Sequence, residues 1–373
     1  TDQRKLAELV AMGIWYSSPE TTKVGETESG EEVTQYKLSN GSITVKVLNW
    51  GATISSVQVP DKKGDIGEIC LGYDEAKPYL DWKTNPYFGC VAGRVANRIC
   101  QGKFSVDGKS YSLVTNNGPN ALHGGNVGFD KCIWKCEEYT SSSVTLMLTS
   151  TDGDEGYPGC LCARVTYSLP DEKSLRMEYS ATTDAPTPLN LTNHAYWNLA
   201  DGGQSPVLEH QLELAADFYT PVDDTSIPTG EIRSVAASSA MDLRKPERIG
   251  RGIRYADNGV GYDHNYVLRG NFGPDGLQPV ARVYDPSSGR WMSVRSDQPG
   301  VQFYTGNYLT GHPGRGGLGK YAKNHGFCLE TQVFPDAINR AHFNPLVLRP
   351  GQKYQHVTVH EFGTSTSLPQ GPY

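Results

Sequence analysis

Two neighbouring runs, Ala163-Arg164-Val165-Thr166-Tyr167 and Leu175-Arg176-Met177-Glu178-Tyr179, decide the fold class. Apolar and polar residues alternate with period two, the pattern of a half-buried β-strand rather than a helix. The alternation recurs at Ile43, Val45 and Val47, and at Val144, Leu146 and Leu148. Val301 and Phe303 alternate with Gln302 and Tyr304, and Val357 and Val359 with His356, Thr358 and His360. Turn formers end the runs, as at Ser39-Asn40-Gly41, Asp107-Gly108 and Ser288-Gly289. Beyond the first 20 residues no long segment carries a helical period, and no fixed-period repeat or low-complexity linker interrupts the chain. The pattern predicts an all-β protein: one large antiparallel β-sandwich over residues 25–373, behind an N-terminal extension of residues 1–24. In that extension Leu6, Leu9, Val10 and Ile14 are spaced as in a short amphipathic helix. The long loops 73–90 and 310–325 are places to look for function.

Composition narrows the function classes. The 373 residues carry a formal net charge of −7, which gives no attraction for nucleic acid or an acidic membrane. Mean hydropathy is −0.48, and no apolar run reaches the length of a membrane span. Residues 1–20 lack the apolar stretch of a secretion signal. The eight cysteines are scattered, and Cys132/Cys136 and Cys160/Cys162 have neither zinc-knuckle nor redox spacing. These features predict free thiols in a reducing cytoplasm, where the triplets Asn40-Gly41-Ser42 and Asn190-Leu191-Thr192 are not glycosylated. A monomer is the expected state.

Three motifs are decoys. Gly314-Arg-Gly-Gly-Leu-Gly319-Lys320 resembles a phosphate loop, but Tyr321 stands where a hydroxyl should hold magnesium, and no strand-to-helix context surrounds it. Asp152-Gly-Asp154-Glu155-Gly156 lacks the distal Glu of a calcium loop. His356 and His360 could share a metal only on a helix; on a strand they are about 13 Å apart. No metal or cofactor is expected.

Six polar clusters sit inside otherwise strand-like sequence: Gly93–Ile99, Ala121–Gly125, Leu189–Asn198, Gly261–Asn265, Pro299–Asn307 and His325–Gln332. If Phe327 and Leu329 face a core, Glu330 and Gln332 face the other side with Cys328, and Gln302 and Tyr304 do likewise on their strand. Any one buried His or Asp is commonly a satisfied structural partner. Together, acids, amides, histidines, an arginine and aromatic rings suit a polyhydroxylated ligand, with acid/base catalysis within reach.

These stretches, in this order and at this spacing, resemble the aldose 1-epimerase family over about Gly25 to Phe362. The resemblance implies a β-supersandwich of the galactose mutarotase type that interconverts the α and β anomers of free hexoses such as D-galactose and D-glucose. It implies Glu330 as general base and His194 as general acid, with Asn97, Arg98, His123, Asp263 and Gln302 contacting the sugar. Ala195 departs from the small hydroxyl residue expected there, and Trp197 from the commoner Phe. Near neutrality the route needs ionised Glu330 and protonated His194. Reference values of about 4.3 and about 6.5 allow that if His194 shifts modestly upward, helped by Asp263. The acid limb of a pH profile would then report Glu330 and the basic limb His194. Arg98 and His123 would steady developing negative charge. Alternatives on the same scaffold are a hexose-6-phosphate 1-epimerase, a glycosidase using Asp263 and Glu330, and a non-catalytic sugar-binding module.

Overall fold

The alternating runs form strands of three antiparallel sheets in a computed structural model that describes residues 20–81, 83–317, 319–343 and 347–369. The expected N-terminal helix lies outside the described residues. The first described strand, Glu20–Glu26, pairs with Glu32–Ser39 at the edge of a five-stranded sheet that continues through Thr44–Leu48, Thr53–Pro60 and Ile66–Glu68. A nine-stranded sheet holds the two runs that open the sequence argument, Leu161–Ser168 beside Ser174–Thr183, with Val165 opposite Tyr179 and Tyr167 opposite Met177. The last long strand, Tyr354–Thr364, enters the middle of this sheet and pairs with Ser174–Thr183 on one side and Arg290–Ser296 on the other. It thereby joins the two halves of the chain. A second five-stranded sheet carries Asp263–Leu268, Gly300–Tyr304 and Cys328–Gln332 side by side.

One contiguous apolar cluster ties the three sheets together. Val45, Val47, Ile54 and Val57 come from the first sheet, Val144, Val165, Tyr167 and Met177 from the large one, and Val301, Phe303 and Leu329 from the third. Each fully buried side chain of this kind contributes about 1.5–3 kcal/mol, so the alternation is enforced by burial of one face. Polar bonds fix how the layers sit: the buried Tyr167 hydroxyl donates to the Ala52 carbonyl at 2.7 Å, and the Thr331 and Thr358 hydroxyls meet at 2.6 Å.

The strand Tyr354–Thr364 shows where alternation misleads. His356, Thr358 and His360 are buried there, as is Val359, whereas Val357 is half-buried. His356 is accommodated because its Nδ1 meets the Leu191 carbonyl at 3.0 Å and its Nε2 the Thr331 hydroxyl at 3.0 Å. His360 instead lies against Trp197, with ring centroids 5.0 Å apart. Trp197 is itself fully buried, so its indole has a defined place in the core.

The described helices are short. Lys77–Leu80 and Ile249–Gly252 are each four residues long, in keeping with the absence of a helical period. No described helix is long and apolar enough to cross a membrane. The glycine-rich stretch is an anchored loop. The half-buried Arg315 guanidinium donates to the carbonyls of Tyr73 and Ser55, and the Tyr321 hydroxyl to that of Gly72. The Gly316 N–H is taken by Asp74 and the Gly314 N–H by the Gly319 carbonyl, so these amides are not turned toward a phosphate.

Candidate active site

The polar faces of three adjacent strands make the floor of a cleft. Asn265, Gln302 and Glu330 stand in one row across Asp263–Leu268, Gly300–Tyr304 and Cys328–Gln332, and Asp263, Tyr304 and Cys328 form the next. The whole segment Cys328–Gln332 is buried on both faces, unlike a strand with one solvated side. Its inward face meets the core, and its other face is roofed by the segments that bring His194, Asn97 and His123.

Backbone bonds hold the His194 segment between two others. Thr192–Asn193 pairs with Val91–Ala92, His194 N–H donates to the Cys90 carbonyl, and the Thr192 hydroxyl donates to the Thr331 carbonyl. Buried amides staple the turns on either side. Asn190 binds the backbone of Val333 through both ends, and Asn198 reaches the carbonyls of Ser205 and His325. Most of the polar residues of this cluster thus supply architecture, satisfying backbone groups that a buried loop would otherwise leave unpaired. Its neighbour Gly93–Ile99 divides the same way. Arg94 is buried at 1 % exposure and spends its guanidinium on the carbonyls of Pro158, Gly159 and Thr151 and the hydroxyls of Thr187 and Ser150. Arg98 instead faces the cleft, with Nε donating to Asn117 at 3.0 Å and Nη1 lying 3.9 Å from the Asp263 carboxylate.

Asn97 and His123 both adopt left-handed backbone, at φ 59° and 49°, a conformation uncommon outside glycine that gathers at functional positions. The turn after His123 requires glycine. Gly124 has φ +89°, and a Cβ there would lie 1.9 Å from the Gly93 carbonyl oxygen. This turn brings the His123 ring under the backbone of Asn97, whose N–H donates to His123 Nδ1 at 3.2 Å. With Nδ1 accepting, the neutral ring carries its proton on Nε2, and His123 offers a donor to a ligand.

The resulting cleft has a volume of about 480 Å³ and includes Asn97, Arg98, His123, His194, Asp263 and Glu330 in its lining. Six of the seven residues singled out from the sequence therefore meet in one place. Gln302 stands one layer back: it does not line the cleft, and its Nε2 donates to Asp263 Oδ1 at 2.6 Å. At the centre His194 Nε2 and Glu330 Oε1 are 3.7 Å apart, with both side chains nearly fully buried.

The protonation of this pair differs from the expected modest upward shift of His194. Burial pulls the His194 imidazole down to about 4, and Asp263 only partly offsets it. Burial, reinforced by Asp263 and relieved in part by Arg98, pushes the Glu330 carboxyl well above its usual range. The charge on Asp263 was read correctly in sign, but desolvation is the larger effect. His123 is likewise held well below its ordinary value by burial, then by His194, Arg98 and Lys131.

His123, His194 and Glu330 each offer a ligand atom within 4.8 Å of the others, a metal-like grouping. The donor set does not fit an ion: the His123 Nδ1 lone pair is taken by Asn97 N–H, and Nε2 then bears the proton. A ligand nitrogen must be free of both.

Sequence reasoning missed several residues here. Tyr87, from the long loop 73–90, lies nearly parallel to the His194 ring at 5.8 Å, and Tyr196 does the same at 5.0 Å, so the imidazole is stacked on two sides. Tyr87 also touches His123, at 4.8 Å. The length of its loop was the available signal. Asn117, Asp224–Ser226 and Tyr308 complete the rim, with no signal in the sequence that would mark them.

Comparison with known proteins agrees with this geometry. Residues 34–361 match the family described as Aldose 1-epimerase. The chain is 45% identical to the galactose mutarotase of Bos taurus over 335 residues, 89% of this chain and 95% of that protein. It is 44% identical to that of Homo sapiens over 344 residues, 91% and 97% of the two chains. The aldose 1-epimerase of Escherichia coli K12 is 37% identical over 329 residues, 87% and 93% of the two. Among solved structures, a GalM/aldose epimerase homologue from C. elegans superposes with a TM-score of 0.82 at 33% identity, over 89% of this chain and 99% of that one. Galactose 1-epimerase from Lactobacillus acidophilus gives 0.79 at 27% identity, over 93% and 99%. A β-sandwich of the galactose mutarotase type, with this cleft on its second five-stranded sheet, makes the chain a member of the aldose 1-epimerase family.

Proposed function

We propose that this protein is an aldose 1-epimerase that interconverts the anomers of free hexoses such as D-galactose and D-glucose, with Glu330 and His194 exchanging protons with the sugar. The observation that carries the reading is the buried Glu330–His194 pair, 3.7 Å apart on the floor of a cleft ringed by hydroxyl-binding groups. Glu330 takes the proton from O1 as His194 gives one to the ring oxygen, and the C1–O5 bond opens. The open aldehyde turns about C1–C2. Ring closure on the other face returns both protons. The pair passes from Glu330 carboxylate with His194 imidazolium to Glu330 carboxylic acid with neutral His194, then back. Burial opposes both charges, raising Glu330 and lowering His194, so in the free protein the shared proton is favoured on Glu330 over His194. Arg98 and His123 Nε2–H supply donors to the sugar oxygens, and Gln302 acts by holding Asp263.

The cleft argues against the neighbouring readings. Arg98 is the single Lys or Arg among its described lining residues and is already engaged by Asn117 and Asp263, which leaves little for a 6-phosphate. The second carboxylate that the sequence offered for glycoside cleavage, Asp263, is held by Gln302 and Arg98. All eight cysteines are free, as suits a reducing cytoplasm.

The test of the chemistry is which bonds break. In deuterium oxide, anomerisation of galactose should leave no deuterium on any carbon, because protons move only on oxygen. Methyl α-D-galactoside has no O1 proton and should neither anomerise nor hydrolyse. Release of galactose from it, lost in Glu330→Gln, would establish a hydrolase instead.

The pH profile of kcat/KM should be bell-shaped, with limbs that belong to the pair. The shifts reverse the assignment made from reference values. Addition of a second proton, mainly to the depressed His194, sets the acid limb; loss of the one shared proton, mainly from the elevated Glu330, sets the basic limb. In His194→Asn the residual activity, with Glu330 as its base, should lose the basic limb and rise with pH as Glu330 ionises. Limbs unmoved by this change would contradict the assignment.

A further inference from the structure

Behind the cleft floor the polar face of the second five-stranded sheet continues as a buried strip. Thr220, at the end of the strand Ala216–Thr220, stands opposite Asn265, which stands opposite Gln302, which stands opposite Glu330. Residues opposed in this way share one face of a sheet. Gln332 follows on that face, two residues beyond Glu330. Of the five, only Glu330 lines the cleft, and none is more than 3 % exposed. Yet Thr220 Oγ1, Gln302 Oε1, Glu330 Oε2 and both amide atoms of Asn265 and of Gln332 have no partner in the protein. Buried polar groups left so destabilise a fold, and native proteins pair nearly all of them.

Gly300 turns the strip into a chamber. It stands opposite Gln332 and two residues before Gln302 on the same face. A Cβ there would come within 2.6 Å of Asn265 Oδ1 and 2.9 Å of the Phe334 ring. The Asn265 amide therefore leans over Gly300, the neighbour of Gln332, and Phe334 closes the space from the side.

We infer that Asn265, Gln302 and Gln332 build a water-binding chamber behind Glu330, whose occupant hydrogen-bonds Oε2 and lets this side chain carry its charge in a cleft closed to bulk solvent. Water fits the donor set. The strip offers N–H groups from Asn265 and Gln332, the carbonyl oxygens of three amides and one carboxylate oxygen, and a buried water takes two to four partners of both kinds. An anion would meet Glu330 and three carbonyl oxygens with no cation among these side chains, and a cation would meet the amide N–H groups. Glu330 Oε1 is the oxygen 3.7 Å from His194, so Oε2 is the one left for the chamber. A hydrogen bond to the charged form opposes the burial that holds this carboxyl high. Water in the chamber requires only this geometry; its effect on turnover rests on Glu330 being the base.

The test is a high-resolution crystal structure of the wild-type protein together with an infrared titration of Glu330. The density should show an ordered water hydrogen-bonded to Oε2 and to at least one of the Asn265, Gln302 and Gln332 amides. Side chains bonded directly to one another across Gly300, with no solvent between them, overturn the inference without any variant having to fold. In the infrared, the band of the protonated Glu330 carboxyl is assigned by its loss in Glu330→Gln. Gln332→Met keeps the length of the side chain and removes both polar atoms. It leaves unaltered the titratable groups that face Glu330, which are His194, His123, Asp263, Arg98, Tyr196 and the thiols of Cys90 and Cys328. The midpoint of the carboxyl band should rise in this variant by about one pH unit, the size of one charge-assisted hydrogen bond, and the basic limb of kcat/KM should rise with it. A folded Gln332→Met protein with an unmoved midpoint overturns the solvating role. A midpoint that rises while the basic limb stays in place supports the chamber and instead removes Glu330 as the group behind that limb.

Discussion

Glu330→Gln is expected to lower kcat by at least ~100-fold, the lower end of what a positioned general base contributes. Gln keeps the shape of the side chain and loses the basic oxygen, so substrate binding should be largely retained and the loss should fall on kcat. Folding should not suffer. Glu330 is 2 % exposed, and its Oε2 has no hydrogen-bond partner in the protein, so the carboxylate is a cost to the fold that the amide relieves. Thermal unfolding should therefore show Glu330→Gln at least as stable as wild type. Near-normal turnover in a folded Glu330→Gln protein would remove Glu330 as the base.

The second large effect is on stability. Five buried histidines have depressed affinity for protons in the fold: His123 well below its ordinary value, His194, His210 and His356 at about 4, and His360 at about 3. Burial is the leading cause for each. Above the unfolded value of about 6.5 both folded and unfolded histidines are neutral, and this stability is fully present. As the pH falls below about 6.5 the unfolded chain gains protons that the fold refuses. Stability is then lost down to the folded values, at about 1.4 kcal/mol per pH unit for each histidine. Glu330 and Asp130, raised by burial, act in the opposite sense and offset at most two of the five. The net expectation is a fall of roughly 4 kcal/mol per pH unit below pH ~6.5, read by denaturant unfolding at several pH values. His360→Phe, beside Trp197 and Phe362, should make that slope shallower by about one proton. Equal stability at pH ~7 and pH ~5 would show that these rings take up protons within the fold.

These two expectations draw on different amounts of sequence information. The strands were legible because burial of one face imposes period two, and Leu161–Ser168 and Ser174–Thr183 pair as that pattern requires. Alternation does not say which face is inward when both can be satisfied. His356 and Thr358 face inward because Leu191 and Thr331 provide partners, and those partners are set by tertiary packing. The site residues were legible as polar positions where apolar ones would pack better, and their motifs carried the family resemblance. Among them, Arg94 and Asn190 share a motif with Arg98 and His194 yet serve the architecture, a division visible only from their partners. The protonation of Glu330 and His194 was not legible at all. Its sign depends on how completely water is excluded, and that follows from the roof of loops that includes Tyr87.

The central claim is that one buried acid–base pair opens and recloses the hexose ring, and polarimetry tests it most directly. Freshly dissolved α-D-galactose should relax to its equilibrium rotation many times faster with the purified protein than in buffer alone, at a rate proportional to enzyme concentration. Added chelator should not change that rate, and Glu330→Gln at equal concentration should bring it close to the buffer rate. A wild-type protein that leaves the spontaneous rate unaltered, or a Glu330→Gln protein as fast as wild type, would contradict the account.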